Sequence, residues 1–137
     1  MLIKSYEISK KNLNSLNFFL IYGENIGLKQ DIAKSVLELK EKKNGKYKQL
    51  EFEEEEILKN QNNFFNLIFS GSLFDEKKVI FINRTTDKLF DLINEISKKN
   101  VKDILIFLKA DQLEKKSKIR NLNNELALCC YWWAWLC

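Results

Sequence analysis

The stretch Phe18-Phe19-Leu20-Ile21-Tyr22-Gly23 decides the fold class. Five consecutive apolar residues ended by a glycine are typical of a strand that is buried on both faces, as in a parallel sheet. Apolar residues at helical spacing follow from Ile26 to Leu39, and the lysine-rich stretch through Asn44 and Gly45 predicts where this helix stops.

The alternation of strand and helix then recurs along the chain. We predict further strands at 47–52, 78–82 and 103–108, and further helices at 54–68, 86–98 and 112–122. This order predicts an α/β fold, with a parallel sheet flanked by helices. The first 17 residues fit either a short leading helix or a loop.

Composition limits the class of protein. The chain has 137 residues, 45% of them hydrophobic, and a net charge of +4, which suits one folded domain. It contains no histidine, which excludes Ser-His-Asp and Cys-His catalysis and histidine-containing metal sites. No apolar run reaches the ~20 residues that cross a bilayer, and the start lacks the apolar core of a signal peptide. We therefore expect a cytoplasmic protein without a membrane partner.

The end of the sequence differs from the rest. All three cysteines and all three tryptophans lie between Cys129 and Cys137. A metal or redox role would need Cys129, Cys130 and Cys137 to act together, but adjacent cysteines followed by a distant third match no zinc spacing. We expect one domain at 1–122 and an aberrant, apolar, Cys/Trp-rich tail at 123–137 that arose from a shifted or misjoined reading frame. The last strand of the sheet should follow Leu122, so the sheet is expected to be incomplete.

A phosphate-binding loop would lie after the first strand of such a fold. Gly23, Gly27 and Lys29 have that position, but only three residues separate the glycines, Leu28 precedes the lysine, and Gln30 lacks the hydroxyl that holds magnesium. The segment is therefore either a degenerate phosphate loop or a simple strand-to-helix turn in which Gly23 allows the bend.

The acidic residues do not complete a hydrolase site. Asp111 follows the strand at 103–108 without a second acid, and an aspartate there commonly caps the next helix. The acidic run Glu51 and Glu53–Glu56 is expected to be a solvated strand end and helix start, because consecutive side chains point in different directions. We expect no catalytic residue, no metal and no cofactor.

An apolar pair stands between the second helix and the third strand. Leu73 and Phe74 follow Ser70-Gly71-Ser72 and precede the charged stretch Asp75–Lys78. Apolar pairs usually belong to the core, and the alternative is an exposed plug for a partner's hydrophobic pocket.

Three segments in order, 19–25, 70–82 and 103–118, together resemble the N-terminal domain of the delta subunit of the bacterial DNA polymerase III clamp loader. The likeness runs from about Ile3 to Leu122. It implies an AAA+-like (P-loop-type) domain without a working phosphate loop, which serves DNA replication. It also implies that Ser72, Leu73 and Phe74 enter the hydrophobic cleft of the sliding clamp, the beta subunit, and help to open it.

Members of this family continue into an AAA+-like lid and a collar domain that joins the pentameric loader. By this resemblance the chain is a truncated delta subunit that lacks both. Its expected partners are the sliding clamp, the other clamp-loader subunits in a full-length chain, and DNA through the complex. Polymerase (nucleotidyltransferase) activity would belong to the DNA-directed DNA polymerase III holoenzyme and not to these residues. The alternatives are a free-standing nucleotide-binding domain related to P-loop ATPases and a fragment too incomplete to function.

Overall fold

The computed structural model describes residues 2–4, 17–69, 77–99, 103–114, 116–121 and 126–129. The strands in these ranges are β1 (Leu2–Lys4), β2 (Phe18–Tyr22), β3 (Lys48–Glu53), β4 (Lys78–Asn83), β5 (Ile104–Ala110) and β6 (Leu126–Cys129). The helices are α1 (Ile26–Asn44), α2 (Glu54–Lys59), α3 (Gln61–Phe69) and α4 (Phe90–Lys98), and a short 3-10 turn at Asp87–Leu89 leads into α4. No helix in the described ranges has the length and apolar character needed to span a bilayer.

The strands form one parallel sheet in the order β1-β6-β2-β5-β4-β3. Every residue of β2 is buried, as the run Phe18–Tyr22 predicts. Phe18, Leu20 and Tyr22 belong to the core shared with α2, α3 and α4, whereas Phe19 and Ile21 belong to the core shared with α1. The predicted α/β class, with a parallel sheet flanked by helices, is confirmed.

Because the strands are parallel, all of them begin at one end of the sheet and finish at the other. We call these the amino end and the carboxyl end. The chain leaves β2 toward β3 on one side of the sheet and leaves β5 toward β6 on the other. β2 and β5 are neighbours whose outgoing connections run in opposite directions along the sheet. Open α/β sheets bind ligands in the crevice outside the carboxyl ends of two such strands, which is called the switch point.

Two predicted helices differ from the structure. The helix expected at 54–68 is interrupted at Asn60, which has extended φ (−143°) and donates its amide to Ile57 O at 3.2 Å. The helix expected at 112–122 is wrong: the described residues of that range form irregular backbone at 112–114 and turns within 116–121. The Asp87 carboxylate accepts hydrogen bonds from the amides of Lys118 and Ile119, and these bonds replace the intrahelical ones.

The chain also contributes to the sheet beyond the expected domain boundary at 122. Leu126–Cys129 form β6, which pairs with β1 on one side and β2 on the other. The strand expected after Leu122 is thus supplied from within the segment 123–137. Residues 123–125 and 130–137 lie outside the described residues.

Candidate functional site

The loop from β2 to α1 lies at the switch point. Gly23 has a φ of 136°, a conformation that favours glycine, and its amide donates to Asp111 O at 3.1 Å. This hydrogen bond joins the ends of β2 and β5. Gly23 is therefore required by the turn itself, whatever ligand the loop holds.

The first turn of α1 is capped by its own chain. The Asn25 side chain accepts a hydrogen bond from the Leu28 amide at 3.0 Å, so this amide is not free for a phosphate. Gly27 lies inside the helix, and a Cβ there would meet only Asn25 Oδ1 at 3.6 Å, an ordinary contact. Nothing in the loop's geometry requires Gly27 to be a glycine.

Lys29 points into the protein. Its ammonium donates to Ala110 O at 3.0 Å and lies 3.3 Å from Asp111 Oδ1. The Lys29 side chain is 8% exposed, whereas that of Asp111 is 85% exposed. The lysine therefore connects α1 to the end of β5. The expectation that Asp111 caps a following helix is wrong, because turns follow it and its carboxylate pairs with Lys29.

A cleft of about 580 Å³ opens beside this contact, between the segments that follow β4 and β5. Its charged lining residues are balanced in sign: Arg84, Lys116 and Lys118 against Asp87, Asp111 and Glu114. Such a lining favours neither an anionic nor a cationic ligand.

Asp87 is the most heavily bonded group of the cleft. Its carboxylate accepts from Ser117 Oγ at 2.6 Å and from the amides of Lys118 and Ile119 at 3.2 Å each. The Ser117 hydrogen bond lowers the pKa of Asp87 and outweighs the opposing effect of burial, with help from the amides of Ile119 and Lys118 and from the Lys118 charge. The carboxylate is used to hold the turn at 117–119 and offers little to a substrate.

The acidic run corrects another expectation. Glu54 is buried rather than solvated, and its carboxylate accepts from the Thr86 amide and hydroxyl, both at 2.9 Å. Glu51 and Glu53 accept from the side-chain amide of Asn83 instead. These bonds connect the ends of β3 and β4, so the run stabilises the carboxyl end of the sheet.

Two more lysines contact aromatic rings on the α1 side of the sheet. The Lys40 ammonium lies 5.7 Å from the Phe19 ring centre and that of Lys109 lies 4.9 Å from Phe81. Desolvation lowers the pKa of both lysines, assisted by Lys43 at Lys40 and opposed by Glu51 at Lys109. Both fit a packing role.

The predicted clamp-binding residues, Ser72, Leu73 and Phe74, lie outside the described residues. The described residues on either side of them, Phe69 and Lys77, are at the amino end of the sheet. Gly23, Gly27 and Lys29 therefore lie at the opposite end of the sheet from Phe69 and Lys77. Within the described residues, no group of three acidic or cysteine side chains could hold a metal ion.

Sequence reasoning missed the partners of Lys29 and Glu54. A buried lysine needs an acceptor, and the nearest sequence signal was Asp111, which follows the neighbouring strand of the sheet.

No protein-family model matches this chain. No curated protein matches it either.

Proposed function

We propose that this chain is a non-catalytic, protein-binding domain of DNA replication, similar to the N-terminal domain of the clamp-loader delta subunit. In this proposal Ser72, Leu73 and Phe74 bind the sliding clamp and help to open it, in the cytoplasm, and the fold is AAA+-like. The observation that carries the proposal is the inward position of Lys29 at the switch point.

Lys29 decides between this function and nucleotide binding. A phosphate loop uses free backbone amides and a lysine directed at the phosphates. Here the Leu28 amide is capped by Asn25, and the Lys29 ammonium is engaged by Ala110 O and Asp111. A nucleotide would have to displace these contacts. The arrangement favours a domain that keeps the layout of a nucleotide-binding fold without its chemistry, as the resemblance implies.

The amino end of the sheet supports an exposed binding element. Phe69, the last residue of α3, is 40% exposed, and it stacks on Phe65 with ring centres 5.9 Å apart. The chain thus leaves α3 at the protein surface, immediately before Ser70. In this proposal the binding element that follows Phe69 can reach a partner without any rearrangement of the hydrophobic core.

Clamp affinity and thermal stability, measured on the same variants, test this function. Leu73→Ala/Phe74→Ala should weaken binding to the sliding clamp at least about 30-fold, since a hot-spot residue carries ~2 kcal/mol or more. The melting temperature should stay nearly unchanged. Ile26→Ala/Leu39→Ala is the matched control, because both residues are exposed apolar side chains on α1. A large loss of stability with unchanged affinity per folded molecule would assign Leu73 and Phe74 to the core.

Equilibrium dialysis with ATP and Mg²⁺ tests the nucleotide-binding alternative. We expect no saturable binding and no hydrolysis. Binding that is lost in Lys29→Ala but kept in Lys34→Ala, a change at an exposed position of the same helix, would favour the alternative.

A further inference from the structure

β3 is the last strand in the sheet order, so one of its edges faces away from the sheet. Within the described ranges β3 pairs with β4 alone. The Lys48 amide donates to Lys77 O at 2.8 Å and therefore faces β4. Because backbone groups alternate in direction along a strand, the amides and carbonyls of Gln49 and Glu51 face the opposite way. These two residues are exposed and offer backbone donors and acceptors at the edge.

The described strand lacks most of the devices that protect edge strands from pairing. Its register with β4 runs without a bulge from Lys48 to Glu53, and the sequence contains no proline. The remaining protection is the charge of Lys48, Glu51 and Glu53. Charged side chains oppose a neighbouring strand unless each of them meets a compatible side chain. The side chains of β3 therefore select the strand that it can accept.

A second copy of β3 meets this condition when the two strands run antiparallel about a two-fold axis at Leu50. In this register Gln49 lies opposite Glu51, whose carboxylate can accept from the Gln49 side-chain amide. Leu50 lies opposite its own copy, and Lys48 lies opposite Phe52. From Lys48 to Phe52, opposite positions thus avoid like charges.

The Lys48–Phe52 pairs lie on the face of the sheet that α2, α3 and α4 cover. Leu50 and Phe52 are half-buried there, and a second β3 beside them would cover what remains exposed. A lysine over an aromatic ring of the neighbouring strand is also a contact that this sheet already uses. The Lys109 ammonium of β5 lies 4.9 Å from the centre of the Phe81 ring of β4.

Charge and backbone direction favour this register over its neighbours. Moving the axis from Leu50 to Glu51 would place the Glu51 carboxylates of the two copies opposite each other, which is destabilising. Moving it to Gln49 would place Glu51 opposite Tyr47, which precedes the strand. A shift by one residue would place the outward backbone groups of one copy against groups of the other that already bond to β4.

We propose that this chain forms a homodimer in which the β3 strands of two copies pair antiparallel about a two-fold axis at Leu50. One sheet then continues through both copies, and each copy contributes the same surface to the interface. Backbone hydrogen bonds between Gln49 and Glu51 supply affinity, and the side-chain pairs fix the register. The inference does not depend on the proposed function, which assigns no binding role to β3.

Sedimentation equilibrium of the full chain, from low micromolar to submillimolar concentration, tests the dimer. A reducing buffer excludes species linked through cysteines, and the wild type should show a reversible monomer–dimer equilibrium. Gln49→Pro removes an outward amide and spares the bonds to β4, so it should weaken the dimer at least about 10-fold. Gln49→Thr keeps the amide and should stay within about 3-fold of wild type. A wild-type chain that is monomeric at every concentration would overturn the inference.

Cross-linking tests the register and also covers a Gln49→Pro chain that fails to fold. In a chain whose native cysteines are changed to alanine, Leu50→Cys places one thiol of each copy at the axis. Opposite Cα atoms lie about 4.5 Å apart there, which a disulfide can span. Mild oxidation should link the Leu50→Cys chain into dimers, whereas Lys34→Cys, at an exposed position of α1, should leave it monomeric.

The two measurements together separate this dimer from other associations. A wild-type dimer that persists in a folded Gln49→Pro chain belongs to another surface and contradicts the inference. Equal linkage of the Leu50→Cys and Lys34→Cys chains would contradict it too, because only random collisions would then be detected. A dimer that is lost in Gln49→Pro but does not link through Leu50→Cys would rule out the axis at Leu50.

Discussion

The two ends of the sheet use their charged side chains in opposite ways. At the carboxyl end, Lys29, Glu54 and Asp87 each bond to groups from another element. At the amino end, exposed Lys48 and half-buried Lys78 begin neighbouring strands, and further lysines lie in the last turns of α1 and α4. A sheet end whose polar groups satisfy one another stabilises the fold and retains little for a ligand. The amino end, where lysines outnumber acids among the described residues, offers more charge to a partner than the carboxyl end does.

Removal of β6 should cause the largest loss of folding free energy, because both ends of the sheet depend on its strands being paired. Truncation after residue 122 would leave one side of β2 unpaired, although its side chains are completely buried. We expect loss of most of the folding free energy, which is typically 5–15 kcal/mol for a whole domain. The measurement is thermal unfolding, with circular dichroism as the probe.

Truncation after Cys129 is the matched control, since it removes the cysteine- and tryptophan-rich residues 130–137 and keeps β6. It should preserve the melting transition and improve solubility. If truncation after residue 122 instead gave a soluble chain with the full-length melting temperature, β6 would contribute nothing to the sheet.

Lys29→Met should cause the next largest loss of stability, because it removes the cation that joins α1 to the end of β5. A hydrogen bond to a charged group contributes about 1.5–3 kcal/mol, so we expect a loss of about 2 kcal/mol in urea denaturation. Lys34→Met on the exposed face of α1 should change stability by less than about 0.5 kcal/mol. An equal effect of the two changes would mean that the contacts of Lys29 do not hold the carboxyl end together.

The comparison of the two ends also separates what the sequence predicted from what it did not. β2, β3, β4, β5 and α1 followed from local patterns, because strands buried on both faces leave uninterrupted apolar runs such as Phe18–Tyr22. β1 and β6 did not: the first 17 residues were expected to be a helix or a loop, and residues 126–129 were assigned to an aberrant tail. The burial of Glu54 and the pairing of Asp111 were predicted wrongly, because their partners lie more than thirty residues away and are brought close only by the strand order. The prediction of a helix after Asp111 was wrong for the same reason. The distant Asp87 carboxylate accepts hydrogen bonds from the amides of Lys118 and Ile119 and so stabilises a turn there. The roles of Ser72, Leu73 and Phe74 remain predictions.

Asp87→Asn should lower the stability of the protein by an amount that depends on pH. The pKa of Asp87 is lowered in the folded state, so its stabilising effect is present above the unfolded pKa of about 3.9 and is lost as pH falls through the folded value. At pH 7 we expect the variant to be about 1 kcal/mol less stable, an amount reduced by the exposure of the carboxylate. The difference should shrink toward pH 3. Asp31→Asn, on the exposed side of α1, is the control and should change stability at pH 7 by less than about 0.5 kcal/mol.

Gly27→Ala should change stability least, and the change should be stabilising. The residue is helical and the added methyl group finds ordinary space, so stability should rise by about 0.5–1 kcal/mol. Gly45→Ala is the contrasting control, because Gly45 has a φ of 89° and the change should be destabilising. A destabilising Gly27→Ala would indicate that the first turn of α1 needs a glycine after all.

The pairing of β1 with β6 sets the order of events during synthesis. Residues 2–4 pair with residues 127–129, and β6 also closes the open side of β2. At ribosomal rates of about 5–20 residues per second, β2 waits on the order of 10 s for this neighbour. During that time a fully apolar strand has an unpaired side, which is a template for association with other chains. We therefore expect the nascent protein to be prone to association with other chains until β6 has left the ribosome.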